Sequence, residues 1–154
     1  MNRTKWDLRW LGLAEHISAW SKDPSTKVGA VIVDKRNRLV SMGFNGFPQA
    51  MKDFQPHLDN REEKYSRVVH GEINALIFAE RSVEGCTLYT WPFLTCDRCF
   101  VQMAQAGIKR VVAPQATEEQ LTRWGPAFDK VRGYAREMNI EITEMPLEQI
   151  YKTL

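Results

Sequence analysis

Short β-rich runs alternate along this chain with segments of helical period, in the order α-β-β-α-β-α-β-α-β. That order calls for a central sheet covered on both faces by helices. A first helix is predicted over residues 5–20, where Trp6, Trp10, Leu13, Ala14, Ile17 and Trp20 recur at helical spacing on one stripe. Pro24 breaks the pattern. Val28–Val33 (VGAVIV) and Leu39–Phe44 are apolar runs joined by the polar turn Asp34–Asn37, which reads as a hairpin. Asn45-Gly46-Phe47-Pro48 signals a loop, and residues 49–66 carry no strong period. A helix is expected over 72–81, a strand over 86–91, a loop over 92–95 and a helix over 97–106 that stops at Gly107. A strand over 108–113 ends at Pro114. Thr117 with Glu118, Glu119 and Gln120 behind it is a capping-box arrangement. It opens a helix through Met138, which Pro126 is expected to kink or interrupt, before a last strand over 140–143.

A length of 154 residues implies one domain, 1–154. With 44% hydrophobic and 26% charged residues, disorder and a fibrous fold are excluded. The formal net charge is +2, without blocks of like charge, so there is no sign of a dedicated nucleic-acid or membrane-surface protein. No apolar run reaches membrane-spanning length, and the N-terminal MNRTKWDLRW has no signal-peptide core. A cytoplasmic location is expected. The three cysteines, Cys86, Cys96 and Cys99, are odd in number and unevenly spaced, which argues against a disulfide framework and for a reducing compartment.

Cys96-Asp97-Arg98-Cys99 opens one predicted helix, and His70-Gly71-Glu72 opens the predicted helix before it. Two cysteines on a first helical turn can aim both sulfurs at one point, and a histidine from a neighbouring helix start supplies a third ligand. Three N/S ligands leave the fourth tetrahedral position open, as in a catalytic zinc site. Helix N-termini also favour thiolates. Glu72 stands two residues past the histidine, where a general acid/base is needed. A thioredoxin-like pair is the competing reading of C-x-x-C. It usually carries small residues between the cysteines rather than Asp97-Arg98, and gives no reason for His70 and Glu72. A closed structural zinc site needs a fourth ligand. Of the remaining candidates, His16 falls on the first helix, His57 in the unpatterned stretch, and Cys86 at a strand start, where it reads as a small buried hydrophobe.

H-x-E followed by C-x-x-C in this order of elements resembles the zinc-dependent cytidine deaminase superfamily, and more closely the deoxycytidylate (dCMP) deaminases. Ser21–Val33 (SKDPSTKVGAVIV) is similar to their first-strand motif, Gly43–Pro48 (GFNGFP) to their NG-x-P loop, and Ala104–Val111 (AQAGIKRV) to the segment after their cysteines. The resemblance covers about residues 6–113. Three positions depart from the pattern: Thr95 precedes Cys96 where proline is usual, Gly71 stands where alanine is usual, and Ala50 replaces a frequent glycine.

The resemblance implies a three-layer α/β/α fold with a central five-stranded mixed sheet. It implies Zn2+ on His70, Cys96 and Cys99, hydrolytic attack at C4 of a pyrimidine, and Glu72 shuttling protons to N3 and to the leaving amino group. dCMP would yield dUMP and ammonia. Asn45 is similar to the family asparagine that orients the substrate, although a turn residue tolerating positive φ is its plainer reading. Ser21 and Lys22 stand in the phosphate-side motif, with Lys27, Lys64 and Tyr65 as further candidates, and Trp91 and Phe93 could line the base pocket, a core role being the equal alternative for Trp91. For Lys27 and Lys64 a solvated surface position is the default. Control by dCTP and dTTP, with Mg2+ accompanying the triphosphate, and a homo-oligomeric, hexameric assembly follow from the family alone. The rivals are deamination of CMP, deoxycytidine, cytosine or a base in RNA, and an inactive zinc-binding module. The near-neutral charge weighs against RNA, and Glu72 against the module.

Overall fold

In a computed structural model of the chain, which describes residues 1–153, the strands β1 (Gly29–Val33), β2 (Leu39–Phe44), β3 (Thr87–Trp91), β4 (Arg110–Pro114) and β5 (Glu141–Met145) form a sheet of order β2-β1-β3-β4-β5. β1 is antiparallel to both β2 and β3, whereas β3–β4 and β4–β5 are parallel, so the sheet is mixed. The pleat divides the core. Ala30, Ile32, Leu88, Val111 and Ala113 face one layer, and Val31, Val33, Tyr89 and Val112 face the other.

The second of these layers is α1 (Arg3–Ser18) with α7 (Leu147–Thr153), which contribute Leu8, Leu11, Ala14, Ile17 and Ile150. Opposite lie α4 (Gly71–Ile77), α5 (Asp97–Gln105) and α6 (Glu118–Met138), contributing Ala75, Phe100, Met103, Phe128 and Val131. A charged cluster pins α1 to the sheet. Buried Asp7 accepts from the Tyr89 hydroxyl at 2.7 Å and from two nitrogens of Arg110 at 2.7 and 2.6 Å.

Several elements differ from the sequence reading. α1 stops at Ser18, leaving Trp20 outside it and about half exposed, edge-on to Phe44. α4 ends at Ile77, its C-cap Phe78 donating its N–H back to the Asn74 carbonyl at 3.1 Å, and the left-handed Glu80 (φ 54°) beyond it departs from helical conformation. Residues 49–66, which carry no strong period in the sequence, hold α2 (Gln55–Asp59) and part of α3 (Arg61–Arg67). Both helices are too short to show a period, and their buried side chains are Leu58 and Lys64. Asn60 was the available signal: its side chain accepts from the Glu63 N–H at 3.0 Å and starts α3. α6 carries the expected capping box but runs unbroken through Pro126, whose ring is exposed, because packing anchors the helix at Phe128, Val131 and Ala135.

One close approach fixes where the site forms. A Cβ on Gly43 of β2 would stand 2.5 Å from the Gly71 carbonyl oxygen and 2.5 Å from the Ala75 nitrogen, both backbone atoms of α4. Only glycine lets α4 lie this close to the sheet. Gly43→Ala should therefore push the start of α4 outward, lowering stability by about 1–3 kcal/mol and weakening zinc retention. Urea unfolding and metal competition with a chelator check this. An unchanged unfolding midpoint together with unchanged zinc retention would show that the contact does not position the helix.

Candidate metal centre and active-site cavity

α4 and α5 begin beside one another, each opened by a residue of extended conformation. His70 is the N-cap of α4 with φ −65° and ψ 150°, and Cys96 is the N-cap of α5 with φ −70° and ψ 160°. The His70 ring makes no capping bond to its own helix. Its Nδ1 points across instead, 3.1 Å from Cys99 Sγ and 3.6 Å from Cys96 Sγ. Cys96 Sγ accepts the Cys99 backbone N–H at 3.4 Å, so the C-x-x-C spacing places one sulfur at the cap and the other on the first turn. Ligand atoms of His70, Glu72, Cys96 and Cys99 all lie within 4.8 Å of one another.

These groups perturb each other. The Cys96 thiol is pulled down to about 4, first by the hydrogen bond from the Cys99 thiol and further by His70 and the Cys99 N–H, against the opposing effect of burial. Its neighbour Cys99 is pushed upward, first because its thiol proton is held in the hydrogen bond to Cys96 and then by burial. His70 is raised by its hydrogen bond to Cys96. Glu72, 3% exposed, is raised by burial, and the Thr95 hydroxyl donates to its Oε2 at 2.7 Å. A ring nitrogen and two sulfurs converging on one point fit a tetrahedral zinc ion with a fourth position open. Glu72 stands within the same group, its carboxyl raised by burial above the ordinary range of a glutamate.

His70, Glu72 and Cys96 of this cluster line a cavity of about 360 Å³. Its lining also includes Asp23, Ser25, Thr26, Asn45, Lys64 and Tyr65 from the loops and α3, and Phe93, Leu94, Arg123, Trp124 and Phe128 from the loop after β3 and from α6. Asn45 is buried, and the loop holds its amide: Oδ1 accepts the Val28 N–H at 2.8 Å, and Nδ2 donates to the Thr26 carbonyl at 2.9 Å. A two-way backbone pairing of Gly46 with Val69 ties this loop to the residue before His70.

The structure separates the other sequence candidates. Tyr65 lines the cavity and is 52% exposed. Ser21 is buried outside the lining, its hydroxyl donating to the Asn45 carbonyl at 2.8 Å, so it supports the loop. Lys22 faces a neighbouring cavity and pairs with Asp53 at 2.7 Å. Lys27 donates to the Ser21 carbonyl and also lies off the lining. Lys64 is not a solvated surface lysine: it is 6% exposed and paired with Asp23 at 3.0 Å. Trp91 does not line the pocket, whereas Phe93 does. On the pleat of β3 Trp91 shares its face with Tyr89 and packs toward α1, on the other side of the sheet from the cavity. Strand alternation through Leu88 and Thr90 carried that information. Sequence reasoning missed Asp23, Thr26, Thr95, Arg123 and Trp124. Trp124 lies one turn before Phe128 on the apolar stripe of α6 and Arg123 is its exposed neighbour, both far along the chain from every motif.

The model of the cytidine and deoxycytidylate deaminase zinc-binding region matches residues 4–115. The chain belongs to this family. It is 42% identical, over 94% of this chain and 97% of the other, to an uncharacterized deaminase in the luxG 3' region of Aliivibrio fischeri. It is 37% identical to a probable deoxycytidylate deaminase of Caenorhabditis elegans, over 92% of this chain and 68% of that protein. Against the deoxycytidylate deaminase of Mus musculus it is 35% identical over 70% of its length, spanning 64% of the mouse protein. The dCMP deaminase of cyanophage S-TIM5, solved in complex with dCMP and dUMP, shares the fold with a TM-score of 0.72 and 24% identity over 94% of this chain and 99% of that one. This family member is therefore a deaminase, built on a five-stranded mixed sheet flanked by helices. Among the described residues no helix is long and apolar enough to cross a membrane.

The low Cys96 value gives a direct test on metal-stripped protein. Above about pH 4 the thiolate is already formed. Alkylation of Cys96 by iodoacetamide should therefore be nearly flat from about pH 6 to 8, whereas an ordinary thiol, with a pKa near 8.5, gains about tenfold per unit below it. Buried Cys86, which burial pushes upward, should stay unmodified. Peptide mass mapping reads both, and a Cys96 rate climbing tenfold per unit would contradict the assignment.

Proposed function

We propose that this protein catalyses the zinc-dependent hydrolytic deamination of dCMP to dUMP and ammonia. The observation that carries the reading is the convergence of His70, Cys96 and Cys99 beside a buried Glu72, with His70, Glu72 and Cys96 lining a cavity of about 360 Å³. His70, Cys96 and Cys99 would hold the zinc. When bound, it supplies Lewis-acid activation that makes water a nucleophile near neutral pH.

The chain's own groups handle the protons. Glu72 takes a proton from the attacking water at its carboxylate, delivers it to N3 of the cytosine ring, then takes the remaining proton from the new C4 hydroxyl and passes it to the amino group leaving C4. Water supplies the oxygen of the new carbonyl, and nitrogen leaves as ammonia. Burial raises Glu72 so that it can hold a proton between these steps, and the Thr95 hydroxyl fixes which oxygen faces the ring. Asn45 has one lone pair of Oδ1 spent on Val28 and keeps the other for the substrate. The loop bonds that hold it reduce the ordering cost of that contact. The apolar wall of Leu94, Trp124 and Phe128 excludes water around the base.

Assembly into a homo-oligomer belongs to the same proposal. Edge strand β2 exposes Leu39 and Met42, and the end of α4 exposes Ile77 and Phe78, which supports burial against a second copy.

Glu72→Gln should retain zinc and lower the rate of ammonia release by about 10²–10⁴-fold. Metal analysis and an ammonia assay test this together, and near-normal turnover with zinc bound would remove Glu72 from its role. In side-by-side assays of dCMP, CMP, deoxycytidine and cytosine, dCMP should give the highest kcat/KM. Preference for cytosine or a nucleoside would overturn the substrate assignment.

A further inference from the structure

Among the cations near the cavity, most are already committed. Lys64 is neutralised by Asp23, Lys22 pairs with Asp53 outside the lining, and Lys27 is bound to the Ser21 carbonyl. His70 faces the two sulfurs. Arg123 differs: it lines the cavity from α6, is exposed, and forms no ion pair or hydrogen bond among the described residues. Its guanidinium carbon instead lies 4.3 Å from the centre of the Trp124 ring. Trp124 stacks on Phe93 at 4.7 Å, and Phe93 belongs to the short loop that leads into Cys96. A chain of ring contacts thus connects the guanidinium to the segment carrying the metal ligand.

We propose that Arg123 binds the anionic end of the substrate, a 5′-phosphate, and so selects nucleoside monophosphates over nucleosides. The proposal rests on the deamination reading above. A pyrimidine whose C4 must reach buried Glu72 directs its opposite end to the rim of the cavity, where the exposed lining residues Ser25, Tyr65 and Arg123 stand. A guanidinium stacked on an indole keeps its N–H edges free, and their fork matches two phosphate oxygens. The contact is charge-assisted and requires no buried charge in the empty cavity, since an exposed arginine stays hydrated until the phosphate arrives. The buried Lys64–Asp23 pair cannot serve in the same way, because drawing Lys64 to a phosphate would strand the Asp23 carboxylate.

The test compares wild-type, Arg123→Ala, Arg123→Met and Arg123→Lys zinc enzymes on dCMP and deoxycytidine. Arg123→Met keeps an apolar stem over Trp124 and so separates charge from packing. The expected result is a loss of about 10- to 100-fold in kcat/KM for dCMP in the Ala and Met variants, mainly through KM, with deoxycytidine turnover within about twofold of wild type and partial rescue by Lys. Calorimetric binding of dUMP should weaken in parallel, while binding of deoxyuridine should not. An equal loss on both substrates, or no loss on either, overturns the role of Arg123 while leaving the dCMP reading intact if wild type still prefers dCMP. A wild-type enzyme that turns over no cytosine compound overturns the deamination reading, and this proposal with it.

Discussion

Two helices that start at one point are the constraint on which the rest of the molecule depends. His70 and Cys96 are both N-cap residues, so their backbones are extended and their side chains project beyond the helices into the same space. The sheet places those starts together. β3 ends at Trp91 and leads through a short loop into α5, while α4 lies against β2 at the one backbone position, Gly43, that has no Cβ to hold it off. The cavity opens at this end of the sheet, beyond the carboxyl ends of β2 and β3, where α/β proteins commonly bind ligands.

The electrostatics follow from the same arrangement. Thiolate character collects on Cys96 because a second thiol, a histidine and a helix N-terminus all face it, and burial raises the Glu72 carboxyl above its ordinary value. Elsewhere around the cavity charge is largely cancelled, by Asp23 against Lys64 on one wall. A net charge of +2 is therefore consistent with a protein whose anionic ligand is small and locally held.

The fold and the metal cluster were legible for different reasons. Strands showed as β-branched runs with turn residues between them, and α6 showed through its capping box, because these signals are local. The cluster was legible because H-x-E and C-x-x-C each encode a cap and a first turn, so spacing alone implies that their side chains can converge. What stayed hidden depended on tertiary packing. Burial of Lys64 needs Asp23, which lies on a distant loop, and burial of Asp7 needs Tyr89 and Arg110 from two other strands. Trp91 was placed by its nearness in sequence to Cys96, but strand pleat sends it to the opposite face. Arg123 and Trp124 reach the cavity only because α6 crosses back over the sheet, and no short motif marks that return.

The central claim is an open zinc site made by His70, Cys96 and Cys99 with Glu72 alongside. Zinc-edge X-ray absorption on the protein as isolated tests it most directly. The account predicts about two sulfur ligands near 2.3 Å and two lighter ligands near 2.0–2.1 Å, one from histidine and one from solvent, with that solvent shell perturbed on adding dUMP. A spectrum fitted by four protein ligands and indifferent to nucleotide, or cysteines joined in a disulfide with no metal bound, would contradict it.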